Sequence, residues 1–331
     1  MTRASVLDCG SPLPLLHSAS RAILFALLPR PGIIPPMSKL LLLLTLSFAC
    51  AVNAAPIRVV VWDEQSAAAK KVYTNSIGDH IADYLRTLPN LSVKSVSLTD
   101  PDQGLTPDTI NNCDVLIWWS HTKNRAVPDE KVNQIVSRIK DGSLSLIALH
   151  SALTSKVFIE SMNERARADA AKVIPPGTRT EYILPQAYKD PLPTDPITPR
   201  VDIVTNWPEH TTLALVYLPI CEITGYREDG KPSHVTTMLP DHPIARGVPK
   251  EFDIAQTEVY LEPFHVPTPD AVIFHEKYSS GEEFRTGMLW SVGKGKVFYF
   301  RPEHETFQGY FNPNILKIIG NAAVWMGQPN S

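Results

Sequence analysis

Basic charge is in short supply in this sequence. Its 31 lysines and arginines are outnumbered by 34 aspartates and glutamates, which leaves a formal net charge of -3. No basic stripe runs along the chain, so a nucleic-acid-binding role is not expected. Cysteine is equally scarce, at four residues in 331, and that excludes a disulfide-dense scaffold. No Gly-x-Gly-x-x-Gly follows the first apolar run, so no nucleotide cofactor is expected. The compact His-Glu-x-x-His metal motif and the Gly-x-Ser-x-Gly nucleophile elbow are both missing. Proline, by contrast, is plentiful at 30 residues, which predicts many loops and few long helices.

The N-terminal region stands apart. Residues 37–54 read MSKLLLLLTLSFACAVNA. Lys39 precedes an apolar run of about a dozen residues, and Val52-Asn53-Ala54 is a small-residue cleavage site, the pattern of a secretory signal. The run is short for a membrane span; an uncleaved anchor is the alternative. Residues 1–36 read as an extension from a start codon assigned too early, with Met37 as the start. Cys50 follows Ser47-Phe48-Ala49, a poor lipoprotein pattern, so lipidation is not expected there. Cleavage after Ala54 leaves a chain of 55–331 with no stable membrane span, exported to the periplasm or beyond the cell. It removes four bases (Arg3, Arg21, Arg30, Lys39) and one acid (Asp8), taking the formal charge to -6. Cys113 and Cys221 remain, read as two separate buried thiols or as an exported disulfide.

Within 55–331 the apolar spacing predicts an alternating order. Ile57–Trp62, Leu91–Leu98, Asp114–Trp119 and Leu144–Leu149 read as strands. Residues 67–88 carry helical spacing, with Ile77, Ile81, Tyr84, Leu85 and Leu88 on one face and Pro89 as the stop. Asp129–Lys140 reads as a helix closed by Gly142. Residues 166–220 hold many prolines and read as a long excursion, a lid or surface flap. Strands follow at Val272–His275, Gly287–Val292 and Lys296–Phe300, the last two joined by a Gly293-Lys294-Gly295 hairpin turn. Asn312–Met326 closes the chain as a helix. This order predicts an α/β domain with a mostly parallel sheet covered on both faces.

In an open parallel sheet, ligands sit beyond the carboxyl ends of the strands. Two predicted strands run into histidine there: WWSH, ending at His121, and LIALHS, with His150 and Ser151. A third continues as FRPEHE, with Arg301, Glu303, His304 and Glu305. If those strands are neighbours, one polar crevice results. His121, His150 and His304 with a carboxylate such as Glu258 would suit zinc or another first-row divalent ion. The other readings are hydrogen bonding to a ligand and capping of strand ends. Glu258, Tyr260 and Glu262 alternate along an extended segment and share a face. Glu258 is the best general-base candidate, against salt bridges from these acids to Arg285 and Arg301. Ser151 beside His150 lacks the geometry of a serine nucleophile, and His242 and His265 read as turn residues.

Several stretches resemble the ThuA-like (trehalose utilisation) family. They are DVLIWWSH at 114–121, LIALHSALTSKVFIESM at 146–162, YRED at 226–229 and DHPIARGVP at 241–249. EVYLEPFHVPTPD at 258–270, GEEFRTG at 281–287 and GKGKVFYFRPEHETF at 293–307 continue the match. The resemblance implies a flavodoxin-like fold, similar to class I glutamine amidotransferases. It implies action on a carbohydrate: isomerisation or cleavage of a keto-glycoside or disaccharide by acid-base, metal-assisted chemistry. On that reading His150, His304 and Glu258 are catalytic. Trp119, His121, Ser151, Tyr260, Glu262, Arg227, Arg285 and Arg301 bind the sugar, with core packing as the competing role for Trp118 and Trp119. The chain departs from the family pattern at Asn124, Leu153 and Glu303, where histidine, histidine and glycine are usual. At the turn where amidotransferases carry their cysteine nucleophile this chain has His150, which argues against glutamine hydrolysis. A non-catalytic carbohydrate-binding module is the alternative function, and a homo-oligomer is compatible with either.

Overall fold

The computed structural model describes residues 55–185, 191–206, 209 and 211–328. The expected extension at 1–36 and signal segment at 37–54 lie outside them. In chain order the strands are β1 Ile57–Asp63, β2 Leu91–Ser97, β3 Val115–Trp119, β4 Ser145–Leu149, β5 Arg179–Ile183 and β6 Arg200–Asn206. They continue as β7 Thr211–Tyr217, β8 Tyr226–Thr237, β9 Glu251–Tyr260, β10 Ala271–Tyr278, β11 Glu283–Val292 and β12 Gly295–Phe300. The helices are α1 Ile77–Arg86, α2 Pro107–Asn111, α3 Asp129–Asp141, α4 Lys156–Val173 and α5 Pro313–Met326.

Nine strands form one sheet in the order β2-β1-β3-β4-β12-β11-β10-β8-β9. The β2-β1-β3-β4-β12 half is parallel throughout. From β12 onward the pairing is antiparallel. β3 and β4 are buried at every position, as a strand covered on both faces requires. One core packs α2, α3 and α4 on one face, through Ile110, Ile135 and Phe158. The other packs α1 and α5 on the opposite face, through Ile81 and Ile319. The expected α/β layering is what forms. Among the described residues no helix is long and apolar enough to cross a membrane.

Differences from the sequence expectation have local causes. The helix expected at 67–88 is a single turn at Ala69–Lys71 followed by α1, because the Ser76 hydroxyl accepts the Asp79 N–H at 3.0 Å and starts a new helix there. Ser76→Ala should cost about 1 kcal/mol, read as a lowered urea midpoint. Residues 166–173 of the expected excursion belong to α4, and β5, β6 and β7 form a second, three-stranded sheet in the order β5-β7-β6. Val216 and Leu218 pack this sheet on Ala166 and Ala170 of α4. β8 escapes the period-2 pattern because its pairing with β9 shifts between Arg227 and Lys231, with Gly230 at φ +64° and Pro232 beside it. The 293–295 turn forms as expected, and a Cβ on Gly293 (φ +60°) would sit 2.4 Å from the Lys140 carbonyl. Cys113 and Cys221 are buried and free, and burial pushes the Cys113 thiol up to about 12.

Candidate active and metal-binding centre

The parallel strands β3, β4 and β12 are adjacent, and all three end at the same edge. His121 stands two residues past β3, His150 directly past β4, and His304 four residues past β12. Their rings converge. Centroids lie 5.4 Å apart for His121 and His150, 4.9 Å for His121 and His304, and 5.4 Å for His150 and His304. Glu305 joins them. One ligand atom from each of these four residues lies within 4.8 Å of the others.

Each histidine is oriented differently. His121 Nδ1 is 2.8 Å from Glu305 Oε1, which also accepts from the Ser66 hydroxyl at 3.1 Å. Burial works to lower the His121 imidazole, but the bonded Glu305 carboxylate outweighs it and the net shift is upward. Burial likewise opposes ionisation of Glu305, and the His121 partnership outweighs it, so that carboxyl shifts down. His150 is fully buried at φ +53°, a backbone conformation that costs a non-glycine residue about 1–3 kcal/mol and is concentrated at functional sites. Its Nδ1 meets the Tyr260 hydroxyl at 3.3 Å, and that hydroxyl pairs with Ser151 Oγ at 2.7 Å. Burial, with the neighbouring His121 and His304, lowers His150 well below the usual imidazole range, so it is neutral. His304 Nδ1 lies 2.8 Å from Thr306 Oγ1, whose hydroxyl donates to Glu228.

Glu258, at the end of β9, approaches from the antiparallel side. Its Oε2 lies 3.6 Å from His150 Nε2. Burial pushes this carboxyl up to about 7, a poise suited to a general base. Three buried polar atoms here have no hydrogen-bond partner: His150 Nε2, Glu258 Oε2 and Glu305 Oε2. Native interiors rarely leave such atoms without a hydrogen bond to protein or water or a bond to an ion. Three imidazoles and a carboxylate, with unmet lone pairs facing one another, fit a first-row divalent cation such as zinc.

The remaining candidates divide. Ser151 and Tyr260 belong to the centre through His150. Trp119 is fully buried in the core shared by α1 and α5, 6.1 Å from the His150 ring, so it backs the site and offers no surface to a ligand. Trp118 stacks on Trp62 at 4.0 Å in the opposite core. Arg301 is also fully buried. Its guanidinium holds Glu276, the Thr257 hydroxyl and the Glu258 carbonyl, so it positions the Glu258 backbone and cannot reach solvent. Arg285 grips Glu262 at 2.8 and 2.9 Å, and Glu262 lies beyond the end of β9. Arg227 pairs with Glu282 at 2.7 Å on the surface. His242 accepts the Ile244 N–H in a turn, as expected.

The three departures from the family pattern have defined places. Asn124 is buried and braces the loop after β3, donating to the His121 carbonyl and the Thr154 hydroxyl, each at 2.7 Å. Leu153 packs into the core. Glu303 is fully buried behind His304, and burial pushes its carboxyl up to about 8. Two further acids belong here, Glu305 and Glu64, of which the sequence places only Glu305 at the polar strand end. Glu305 is the fourth member of the cluster, and it was visible as the acid beside His304. Glu64 stands one residue past β1, at the same strand-end edge, on a strand that does not end in histidine. The opening of α1 is closed to phosphate, because the Asp63 carboxylate itself accepts the Gly78 N–H at 2.7 Å.

No curated protein sequence matches the chain significantly. Among solved structures it is similar to a ThuA-like protein from Parabacteroides merdae, with TM-score 0.54 and 13% identity over 82% of this chain and 90% of the other. It is also similar to a ThuA-like protein from Bacteroides uniformis, with TM-score 0.50 and 11% identity over 84% and 95%. These likenesses speak to the fold. The family model described as trehalose utilisation matches residues 58–326. A match of that extent, running from β1 through α5 and over every strand end that builds the centre, places the chain in the ThuA family.

Proposed function

We propose that this protein is an exported enzyme acting on an oxidised carbohydrate, a keto-glycoside or keto-disaccharide, by proton abstraction beside a carbonyl. The observation that carries the reading is the pairing of Glu258 Oε2 with His150 Nε2, both buried and lacking hydrogen-bond partners, against the His121, His304 and Glu305 cluster. Glu258 takes the proton from the carbon next to the keto group. The Glu258 carboxyl, now carrying that proton, gives it up again in the next step, while His304, 3.6 Å from Glu228, keeps its place in the cluster. Returned to carbon, the proton completes an isomerisation. Delivered to the glycosidic oxygen, it releases an alcohol as the C–O bond breaks and a C=C bond forms. Tyr260 and Ser151 hold the His150 ring in place. A divalent ion held by His121, His150, His304 and Glu305 would supply charge stabilisation for the developing enolate oxygen.

The test is turnover of 3-keto-glycosides by the parent protein, Glu258→Ala and His150→Ala. Turnover lost by about 100-fold or more in both variants, with folding intact by circular dichroism, supports the reading. Turnover unchanged in Glu258→Ala would sink it. The second reading, a carbohydrate-binding module without catalysis, draws on Asn124 and Leu153, which put no imidazole into the centre. Saturable sugar binding with no turnover in the parent would establish that reading instead.

A further inference from the structure

We infer that Glu64 is a positioning residue for the His121 arm of the centre, with Asn124 closing the same clamp from the other side. The inference rests on the reading of the centre given above, but its geometry lies outside the cluster. Glu64 follows β1, and its own N–H continues the β1–β3 ladder by donating to the Trp119 carbonyl at 3.3 Å. Past that point β3 has ended, and the Glu64 side chain replaces the missing strand partner. Its Oε2 accepts the N–H groups of His121 and Lys123, each at 2.8 Å. Its Oε1 accepts the Thr122 N–H at 3.1 Å and the Thr122 hydroxyl at 3.0 Å. Three successive backbone amides around one buried carboxylate make an anion nest filled from within the chain.

Asn124 works on the opposite group. Its Nδ2 donates to the His121 carbonyl at 2.7 Å, and its Oδ1 accepts the Ser120 hydroxyl. His121 therefore has its N–H and its C=O both fixed by side chains, leaving only χ1 and χ2 to set the ring, and Glu305 fixes those through Nδ1. Outer partners of this kind set ring orientation at metal and catalytic centres, and losing one costs about 10- to 100-fold in affinity or activity. Glutamine at position 64 preserves the shape, but its amide nitrogen cannot accept, so at least one of the three N–H groups loses its partner.

The experiment compares the full-length parent, Glu64→Gln and Ser76→Ala, the last a helix-cap variant that removes no partner of the Glu64 carboxylate and controls for lost stability. Zn²⁺ titration and amide hydrogen exchange over residues 121–123 are read in each. The expected result is Zn²⁺ binding weakened by about 10- to 100-fold in Glu64→Gln, with faster exchange at 121–123, and neither change in Ser76→Ala. Unchanged Zn²⁺ affinity together with unchanged exchange in Glu64→Gln overturns the inference. Should Glu64→Gln not fold, Asn124→Ala opens the clamp from its other side, and unchanged affinity and exchange there overturn it equally. A parent protein that takes up no Zn²⁺ removes the metal from the reading above, and the exchange measurement then decides the clamp alone.

Discussion

The protein purified without chelator or affinity tag is expected to carry about one equivalent of a first-row divalent ion, and the His150→Ala/His304→Ala double variant to carry none. The expectation follows from how the fold spends its buried polar groups. His150 has no solvent exposure and is neutral, which is the metal-ligating form of imidazole. Its Nε2 and the Glu305 Oε2 have no hydrogen-bond partner, yet all four side chains of the cluster bring a ligand atom within 4.8 Å of the others. Removing two imidazoles leaves His121 and Glu305, which are tied to each other. Two ligands hold zinc far more weakly than four. Elemental analysis reads the result directly, and the bound ion should also raise thermal stability in the parent alone, since ligand at 100 times Kd adds about 2.7 kcal/mol. Metal absent from both proteins would leave Glu258 and the histidines as a purely acid-base or sugar-binding site.

The largest stability effect is expected at Glu276. Arg301 and Glu276 are both completely buried in the antiparallel half of the sheet. Glu276 accepts two guanidinium hydrogen bonds, at 2.6 and 2.8 Å, and a third from the Ser233 hydroxyl at 2.6 Å. Glu276→Ala strands a guanidinium that cannot lose its proton, and such a broken pair costs about 3–5 kcal/mol. Chemical denaturation should show this as a large drop in the transition midpoint. A loss below about 1 kcal/mol would mean that water reaches the guanidinium, since exposed pairs are worth no more than that. The change should also reach the centre, because Arg301 Nη1 holds the Glu258 carbonyl at 2.9 Å. Activity should therefore fall further in Glu276→Ala than the loss of folded protein accounts for.

The arginines show why the candidate site was only partly legible in the sequence. Arg301, Arg285 and Arg227 all lie in motifs near the centre and read as sugar-binding residues, with salt bridges to Glu258 and Glu262 as the alternative for Arg285 and Arg301. In the structure one is a buried strut, one is locked to Glu262, and one is a surface pair with Glu282. A charged side chain's role depends on which opposite charge meets it, and each partner comes from a different stretch of chain. Glu64 is silent in the sequence for the same reason, since nothing in the local pattern around β1 announces the three amides it collects from beyond β3.

What the sequence by itself determined is the local layer. Continuous β-branched runs specified the buried parallel strands, helical spacing with Gly142 and Asn312 set the ends of α3 and α5, and the histidines at strand termini marked one edge as polar. These signals are readable because each depends on neighbours within a few residues. Only the tertiary structure decided that β3, β4 and β12 lie side by side, so that His121, His150 and His304 share one centre. It also brought Glu258 to His150 from the antiparallel half, placed Trp119 behind the site, and filled the amides of the His121 loop with Glu64. The physical reason is that strand order and long-range charge pairing are settled by burial and hydrogen-bond satisfaction over the whole domain, and no short window of sequence contains both partners.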